Sequence, residues 1–551
     1  MDGPLTNLPK DPDVLIALLQ KQQREIDSLH HTLTRKDKAL ASRDKTLAHR
    51  DKTLLRKDDT IRQLEERLRA LLNQRFGKSS EKFNPDQFQL FNEAELLAEL
   101  NPETESDSTE VKGHRRQKHK SSHALPAHLS RVDVVHDLDE HLKQCDCVNT
   151  LEEIDEEILE QLCVVPKQYY VIRHRRKKYA CSCKQCIRTA SMPTQPLPSS
   201  QASPQVIADV MVSKYRDGIP LYRQEKIAAR VDVPLPRGKL ARWIIDGSEV
   251  FQVILNLLMD TFFSYDIAQS DDTGIQVLKE QDRAPHSQSA LWIRRGGPPD
   301  KPVVLVDYAA SKSGQTAYGL LSEFRGTLVC DGASNFNLAV RENQLKVALC
   351  NDHARRRFKR VFDQLSKEDK TGAAGSVAAE GVLRYKALYK IEKAIKSLSV
   401  EQKLAARQKE ALPLWESFID WAQQTQAEGV RHPGTRDALS YLLKHAKELQ
   451  TYCHDGRLPI SNIRSEHVAK TIAIARKNFL FSDTAAGAQA SGRVFSMIET
   501  AIANGHHPQR YLAVLLSELP NVSSIEQIEA LLPWQLTPDE VTRRYREYPA
   551  P

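Results

Sequence analysis

No stretch of this chain is long and apolar enough to cross a bilayer as a helix. Such a helix needs about 18 or more consecutive apolar residues. The best candidate, residues 250–263, is broken by Gln252, Asn256 and Asp260. The opening Met1-Asp2-Gly3-Pro4 lacks the basic and then apolar pattern of a signal peptide. An even disulfide framework is missing too. Five of the nine cysteines (Cys145, Cys147, Cys181, Cys183 and Cys186) crowd into one short region. That distribution favours a metal site in a reducing cytoplasm over a secreted scaffold. Nor is there a strong overall charge: the formal net charge is +7 over 551 residues. Basic residues cluster locally instead, which suits a polyanion such as nucleic acid. The length excludes a single core, and three or more domains are expected.

What is present divides the chain into segments. Ile26, Leu33, Leu40, Leu47, Leu54, Ile61 and Leu68 recur every seven residues. A sustained heptad predicts a coiled coil over 13–76 and self-association, weaker where Lys36, Arg43, Arg50 and Lys57 occupy the second seam. Residues 77–122 are polar and read as a linker. Residues 123–200 hold the cysteines. Residues 205–248 read as short helices separated by Val233-Pro234-Leu235-Pro236. Two helices with a turn suit helix-turn-helix docking, with Arg237, Lys239 and Arg242 as candidate phosphate or base contacts. A region spanning 250–505 follows, with a helical insertion at about 365–455, and then a C-terminal helical tail over 506–551.

Within 250–505 the expected order is three strands, a helical crossover, a strand ending at Asp331, a helix and a fifth strand at Lys346–Cys350. Three acids stand out. Asp271 follows a strand-like run, Asp331 closes another, and Glu466 sits on a helix uninterrupted by Gly or Pro from Ser461 to Ala486. Carboxylates are hard ligands suited to Mg²⁺, and two such ions can clamp an in-line phosphoryl displacement. Helical periodicity puts Glu466, Lys470, Ala473 and Lys477 on one face, and Val468, Ile472, Ala475 and Phe479 on the other. His353, Arg355 and Arg356, just after the fifth strand, offer positive charge near a phosphate. The order of elements is that of ribonuclease-H-like phosphoryl-transfer enzymes, giving a multidomain α+β class with an α/β catalytic core.

The chain resembles DDE transposases of the bacterial insertion-sequence-66 family. The resemblance is carried by Phe76-Gly77-Lys78-Ser79-Ser80, Leu125-Pro126-Ala127-His128-Leu129, Pro220-Leu221-Tyr222-Arg223-Gln224-Glu225, 350–358, Ile474-Ala475-Arg476-Lys477-Asn478-Phe479-Leu480-Phe481 and Leu531-Leu532-Pro533-Trp534. It implies Asp271, Asp331 and Glu466 as a catalytic, Mg²⁺-binding triad. It also implies a zinc-binding cysteine module, for which Cys145, Cys147, Cys183 and Cys186 are the candidate ligands. The implied activity is cleavage and strand transfer at the terminal inverted repeats of the protein's own element, in the bacterial cytoplasm, with homo-oligomers and small accessory proteins as partners. The chain departs from the family pattern at Asp272 (usually Glu), at Ser461-Asn462-Ile463 (usually Asp-Asn-Asn), and at His467 and Lys470 (usually Arg). The rival expectation is a decayed or repurposed transposase that binds DNA without catalysis.

Overall fold

The computed structural model describes residues 14, 16–38, 43, 131–134, 160–162, 167–180, 187–192, 194–198, 200–364, 376–430 and 432–547. Helix α1 (residues 16–38) is exposed along its length. Its repeat positions Ile26 and Leu33 are 46% and 58% exposed. The later repeat positions lie outside the described residues, as do the expected linker and the cysteines at 145, 147, 163, 181, 183 and 186. Strands β1 (Lys178–Ala180) and β2 (Ile187–Thr189) pair antiparallel on either side of the second cysteine cluster. Among the described residues no helix is long and apolar enough to cross a membrane.

The chain forms two compact units. The first takes in Met259–Gly274 and Gln288–Lys470; the second takes in Glu95–Leu258, Ile275–Ser287 and Thr471–Pro551.

The second unit carries the helices α2 (Pro204–Tyr215), α3 (Leu221–Ala229) and α4 (Arg237–Glu249). Pro236 precedes α4, where its fixed φ suits a helix start. Ile207, Met211, Tyr215, Leu240, Trp243 and Ile244 are buried. The C-terminal segment is part of this core: Tyr511, Leu512, Leu515 and Leu516 are buried, and the Tyr511 hydroxyl donates to the Leu531 carbonyl at 2.8 Å.

In the first unit, the end of α5 (Gln252–Phe263) leads into strand β3 (Ile267–Lys279). Strands β4 (Gln288–Gly296) and β5 (Val303–Ala309) follow, then α6 (Gly314–Leu320), β6 (Thr327–Cys330), α7 (Asn337–Glu342), β7 (Lys346–Leu349) and α8 (Asn351–Phe362). The sheet order is β5-β4-β3-β6-β7. Strands β4 and β5 are antiparallel, whereas β3, β6 and β7 are parallel. Near-continuous apolar runs such as Val303–Val306 are buried, as strands covered on both faces require. Arg294 is buried within β4, donates to Asp307 at 3.0 Å and to the Leu320 carbonyl at 2.8 Å, and lies over Phe262.

Two boundaries differ from the sequence reading. Strand β3 does not stop before Asp271 but runs to Lys279. Asp271-Asp272-Thr273-Gly274 has little strand propensity; pairing with β6 before it, and with β8 (Ser482–Thr484) after it, overrides that preference. Helix α14 (Ile463–Phe479) ends well before Ala486, although no Gly or Pro stops it. Leu480 instead adopts φ +65°, a conformation few non-glycine residues take, and β8 begins two residues later.

The helical insertion comprises α9 (Val377–Ala394), α10 (Val400–Ala406), α11 (Leu412–Glu428), α12 (Pro433–Lys444) and α13 (Ala446–Gln450). An aromatic cluster of Phe358, Tyr385, Trp415 and Phe418, with ring centroids 5.1–6.3 Å apart, joins it to α8. Arg407, 3% exposed, pairs with Glu392 through two hydrogen bonds of 2.8 and 2.7 Å. It also donates to the carbonyls of Tyr452, Asp455 and Leu458, each at 3.0 Å, and so fixes the segment that leads into α14.

Gly381 lies in α9 against the Phe358 ring, which a Cβ there would strike. Helix propensity alone favours Ala over Gly by about 1 kcal/mol. Gly381→Ala is nevertheless expected to lower the thermal midpoint, measured by calorimetry on the full chain, because the ring must leave a packed cluster. Arg407→Met is expected to cost about 3–5 kcal/mol in chemical denaturation, since it leaves Glu392 without its cation.

Candidate active site

Sheet register brings the two aspartates together. Gln269 pairs with Val329 in the parallel β3–β6 ladder, so two residues further on Asp271 faces Asp331. Cys330 pairs with Leu349 in the β6–β7 ladder, which sets Cys350 next along from Asp331. Three neighbouring parallel strands therefore deliver Asp271, Asp331 and Cys350 at one level. Side chains alternate along a strand. Asp272 accordingly faces elsewhere: its carboxylate contacts Lys312 and accepts from Asn335 Nδ2 at 2.8 Å. Asp271 Oδ1 accepts from the Asp272 N–H at 2.8 Å, and Asp331 Oδ1 from the Ala333 N–H at 2.9 Å. Tyr441, from the insertion, donates to the Asp331 carbonyl at 3.1 Å.

Glu466 reaches this group from the first turn of α14. Asn462 sets the position of that turn. Its side chain donates to the Ser270 carbonyl at 3.0 Å, and its backbone N–H points at Cys350 Sγ at 3.2 Å. Asn351 ties the preceding loop down through the Ile460 and Leu449 carbonyls. Of the residues that depart from the family pattern here, Ser461 and Ile463 flank the one amide retained, and that amide makes the bond to Ser270. Val468, Ile472 and Ala475 are buried, as the expected apolar face requires.

The Glu466 carboxylate is itself 8% exposed and well supplied with partners. Cys350 Sγ lies 3.3 Å and His353 Nδ1 3.2 Å from Oε1, and Arg356 lies 3.3 Å from Oε2. Burial alone would raise its pKa, but His353, Arg356 and the Cys350 thiol bring it down to about 2. Asp271 goes the other way. Burial raises it, and with the charges of Asp331 and Glu466 outweighs the Asp272 N–H and His353, taking it to about 7. Burial opposes charge on His353, yet Glu466 beside it lifts the pKa above the ordinary value. Burial pushes the Cys350 thiol well up. Asp352, raised chiefly by burial, accepts from the Tyr389 hydroxyl at 2.6 Å.

Not every residue expected to meet DNA lies apart from the acids. His353 and Arg356 were assigned to phosphate; here they hold Glu466. Arg355 lies over the Tyr389 ring, 5.3 Å from its centroid. Lys470 is half-buried one turn beyond Glu466, and Lys477 is exposed further along the same helix. Arg237 and Arg242 are exposed on the first turns of α4, while Lys239 bonds Gln201 at 2.8 Å and lies over Trp243. Cys330, Cys350 and Cys453 are buried free thiols, as expected of small core residues. Sequence reasoning missed that Cys350 faces Glu466; its Cys-x-x-His spacing at a helix start was the available signal.

Sequence comparison bears directly on these groups. The model of the "Transposase IS66 family" matches residues 199–490, which contain the sheet, the insertion and all three acids. The "zinc-finger binding domain of transposase IS66" matches 143–184, which takes in Cys145, Cys147 and Cys183 but stops short of Cys186. "Transposase C of IS166 homeodomain" matches 63–134 and the "IS66 C-terminal element" matches 496–534. The chain belongs to the IS66 family of transposases, a class of DNA-acting enzymes with DNA-binding domains. Two relatives come from Sinorhizobium fredii (strain NBRC 101917 / NGR234). The uncharacterized protein y4jD is 28% identical over 430 residues, 76% of this chain and 82% of its own length. The uncharacterized protein y4hP is 25% identical over 406 residues, 71% and 73% respectively. The family's transposase domain implies a divalent metal, and its zinc-finger domain a structural zinc.

The Asp271 shift has a stability consequence. A carboxyl whose folded pKa lies above its unfolded value makes the folded state bind the extra proton, so stability falls as pH rises between the two values. For Asp271 that window runs from the ordinary 3.8 to about 7. Metal-free wild type is therefore expected to lose stability relative to Asp271→Asn across this window, with a flat difference above it. Urea denaturation at a series of pH values measures the difference.

Proposed function

We propose that this chain is a DDE-type transposase that cleaves and joins DNA strands at the terminal inverted repeats of its own element, using Mg²⁺. The observation that carries this reading is the register pairing of Asp271 with Asp331, with Glu466 close enough to act on the Asp271 charge. The sheet order, with a helical insertion before α14, supports a ribonuclease-H-like core. The donor set fits the ion: burial, and then the charges of Asp331 and Glu466, raise Asp271 to about 7, a cost that a cation would offset, and oxygen donors are what Mg²⁺ takes. Asp271, Asp331 and Glu466 would hold it. When bound, Mg²⁺ supplies positive charge to the attacking and leaving oxygens of an in-line displacement.

The chain's own groups do the rest. With a cation bound, Asp271 would release its proton to solvent, leaving all three carboxylates as acceptors. His353 and Arg356 keep Glu466 ionised and aimed, and Asn462 sets its height against β3. Cations on α4 (Arg237, Lys239 and Arg242), together with Arg355, Lys470 and Lys477, would meet the phosphate backbone. Zinc on Cys145, Cys147, Cys183 and Cys186 would shape a module that grips the element's ends. The heptad segment would pair two protomers so that two ends meet, with accessory proteins of the element completing the assembly.

The test incubates the full chain with Mg²⁺ and labelled element ends. Joined products are expected from wild type. Asp331→Asn is expected to lose at least about a hundredfold in joining, the scale on which one electrostatic stabiliser of a transition state is felt. End binding with neither cleavage nor joining would favour the repurposed DNA-binding protein, and cleavage without joining a plain nuclease.

A further inference from the structure

We propose that Cys350, His353 and Glu466 form a second cation site, selective for Zn²⁺ and similar borderline or soft ions, which shares Glu466 with the Mg²⁺ site. One ligand atom from each of the three lies within 4.8 Å of the others. The donor types are sulfur, nitrogen and oxygen. Mg²⁺ prefers oxygen alone, whereas Zn²⁺ takes thiolate, imidazole and carboxylate together. The spacing fits as well. Zinc bonds of about 2.0–2.3 Å at tetrahedral angles put neighbouring donors roughly 3.3–3.5 Å apart. Here Sγ–Oε1 is 3.3 Å and Nδ1–Oε1 is 3.2 Å.

The donors are mounted on fixed elements. Cys350 caps α8, His353 lies in its first turn, and Glu466 lies in the first turn of α14. His353 Nδ1 is buried and lies 3.2 Å from Oε1, on the same carboxylate oxygen that Cys350 Sγ approaches. A thiolate at Cys350 would keep the Asn462 N–H at 3.2 Å and the N-terminal end of α8. Thiolate and carboxylate together neutralise a dication. On binding, the S–H bond breaks, its proton leaves to solvent, and a metal–sulfur bond forms; no electrons are transferred. The imidazole must ligate through Nδ1 and carry its proton on Nε2. Arg356, now 3.3 Å from Nε2, therefore turns off the ring while its bond to Oε2 stays available. Three protein ligands leave a fourth position open, the arrangement of an exchangeable rather than a closed structural site.

The consequence is antagonism. An ion held by Oε1 with Cys350 and His353 takes that oxygen from a cation shared with Asp271 and Asp331. Zinc thus lowers joining while leaving the protein folded. That inhibitory effect rests on the reading of Glu466 as a Mg²⁺ ligand; binding itself does not.

The experiment strips the full chain of metal, reloads it with Zn²⁺, dialyses it, and measures zinc per chain by elemental analysis for wild type, Cys350→Ser and His353→Gln. Circular dichroism checks each fold, and the second variant serves if the first does not fold. Joining is assayed at fixed Mg²⁺ against increasing Zn²⁺. Both variants are expected to hold about one zinc fewer than wild type while keeping any zinc of the cysteine-rich module. Cys350→Ser is expected to need at least about tenfold more Zn²⁺ for half-inhibition, the scale on which weakened ligation lowers metal affinity. Equal zinc in all three proteins overturns the site. A zinc deficit with unchanged inhibition overturns the sharing of Glu466. A zinc deficit in the variants, with a wild type that joins nothing under Mg²⁺ alone, keeps the site and overturns the transposase reading instead.

Discussion

Like charges forced together are the constraint around which the first unit is organised. Parallel register puts Asp271 and Asp331 side by side, and α14 adds a third carboxylate. Both aspartates are only partly exposed and Glu466 is buried, so repulsion is screened less than it would be on an open surface. The protein answers in two ways. Asp271 takes up a proton up to near neutrality, and Glu466 is given His353 and Arg356. The same crowding that is unfavourable among the carboxylates alone would make a cation favourable there.

The helical insertion belongs to this solution rather than decorating it. Tyr441 reaches the carbonyl of Asp331, and Arg357 lies over the Tyr441 ring with its guanidinium 4.1 Å from the centroid. Tyr389 closes over Asp352. Arg407, from the far side of the insertion, secures the loop that delivers Asn462 and then Glu466. A chain segment distant in sequence from every acid thus decides where the third one stands.

Much of this was legible in the sequence. The strand order, the helical insertion and the apolar face of α14 follow from periodicity, because burial imposes it. Asp331 stands out at the end of a strand-like run, while Asp271 is preferred over Asp272, and Glu466 picked from its helix, by the family resemblance. What could not be read depended on pairing between distant segments. Strand β3 continues through a polar, glycine-containing stretch only because β6 and β8 pair with it. Cys350 looks like any small buried residue until register sets it beside Asp331 and the Asn462 turn brings Glu466 to it. For His353 and Arg356 a linear sequence shows the charge but not the Glu466 carboxylate that lies beside both.

Gly332 follows Asp331 with φ +80°, and a Cβ there would come within 2.9 Å of the Tyr441 hydroxyl. Two neighbouring positions therefore answer to different demands. If Asp331 has the proposed role, the acid is kept by what the protein does, the glycine by how it is built. In a copy of the element that has stopped moving, the first demand lapses at once, while the second lasts as long as a folded protein is made. Lineages of such copies should lose the acid before the glycine, which makes this dipeptide a record of how long a copy has been silent.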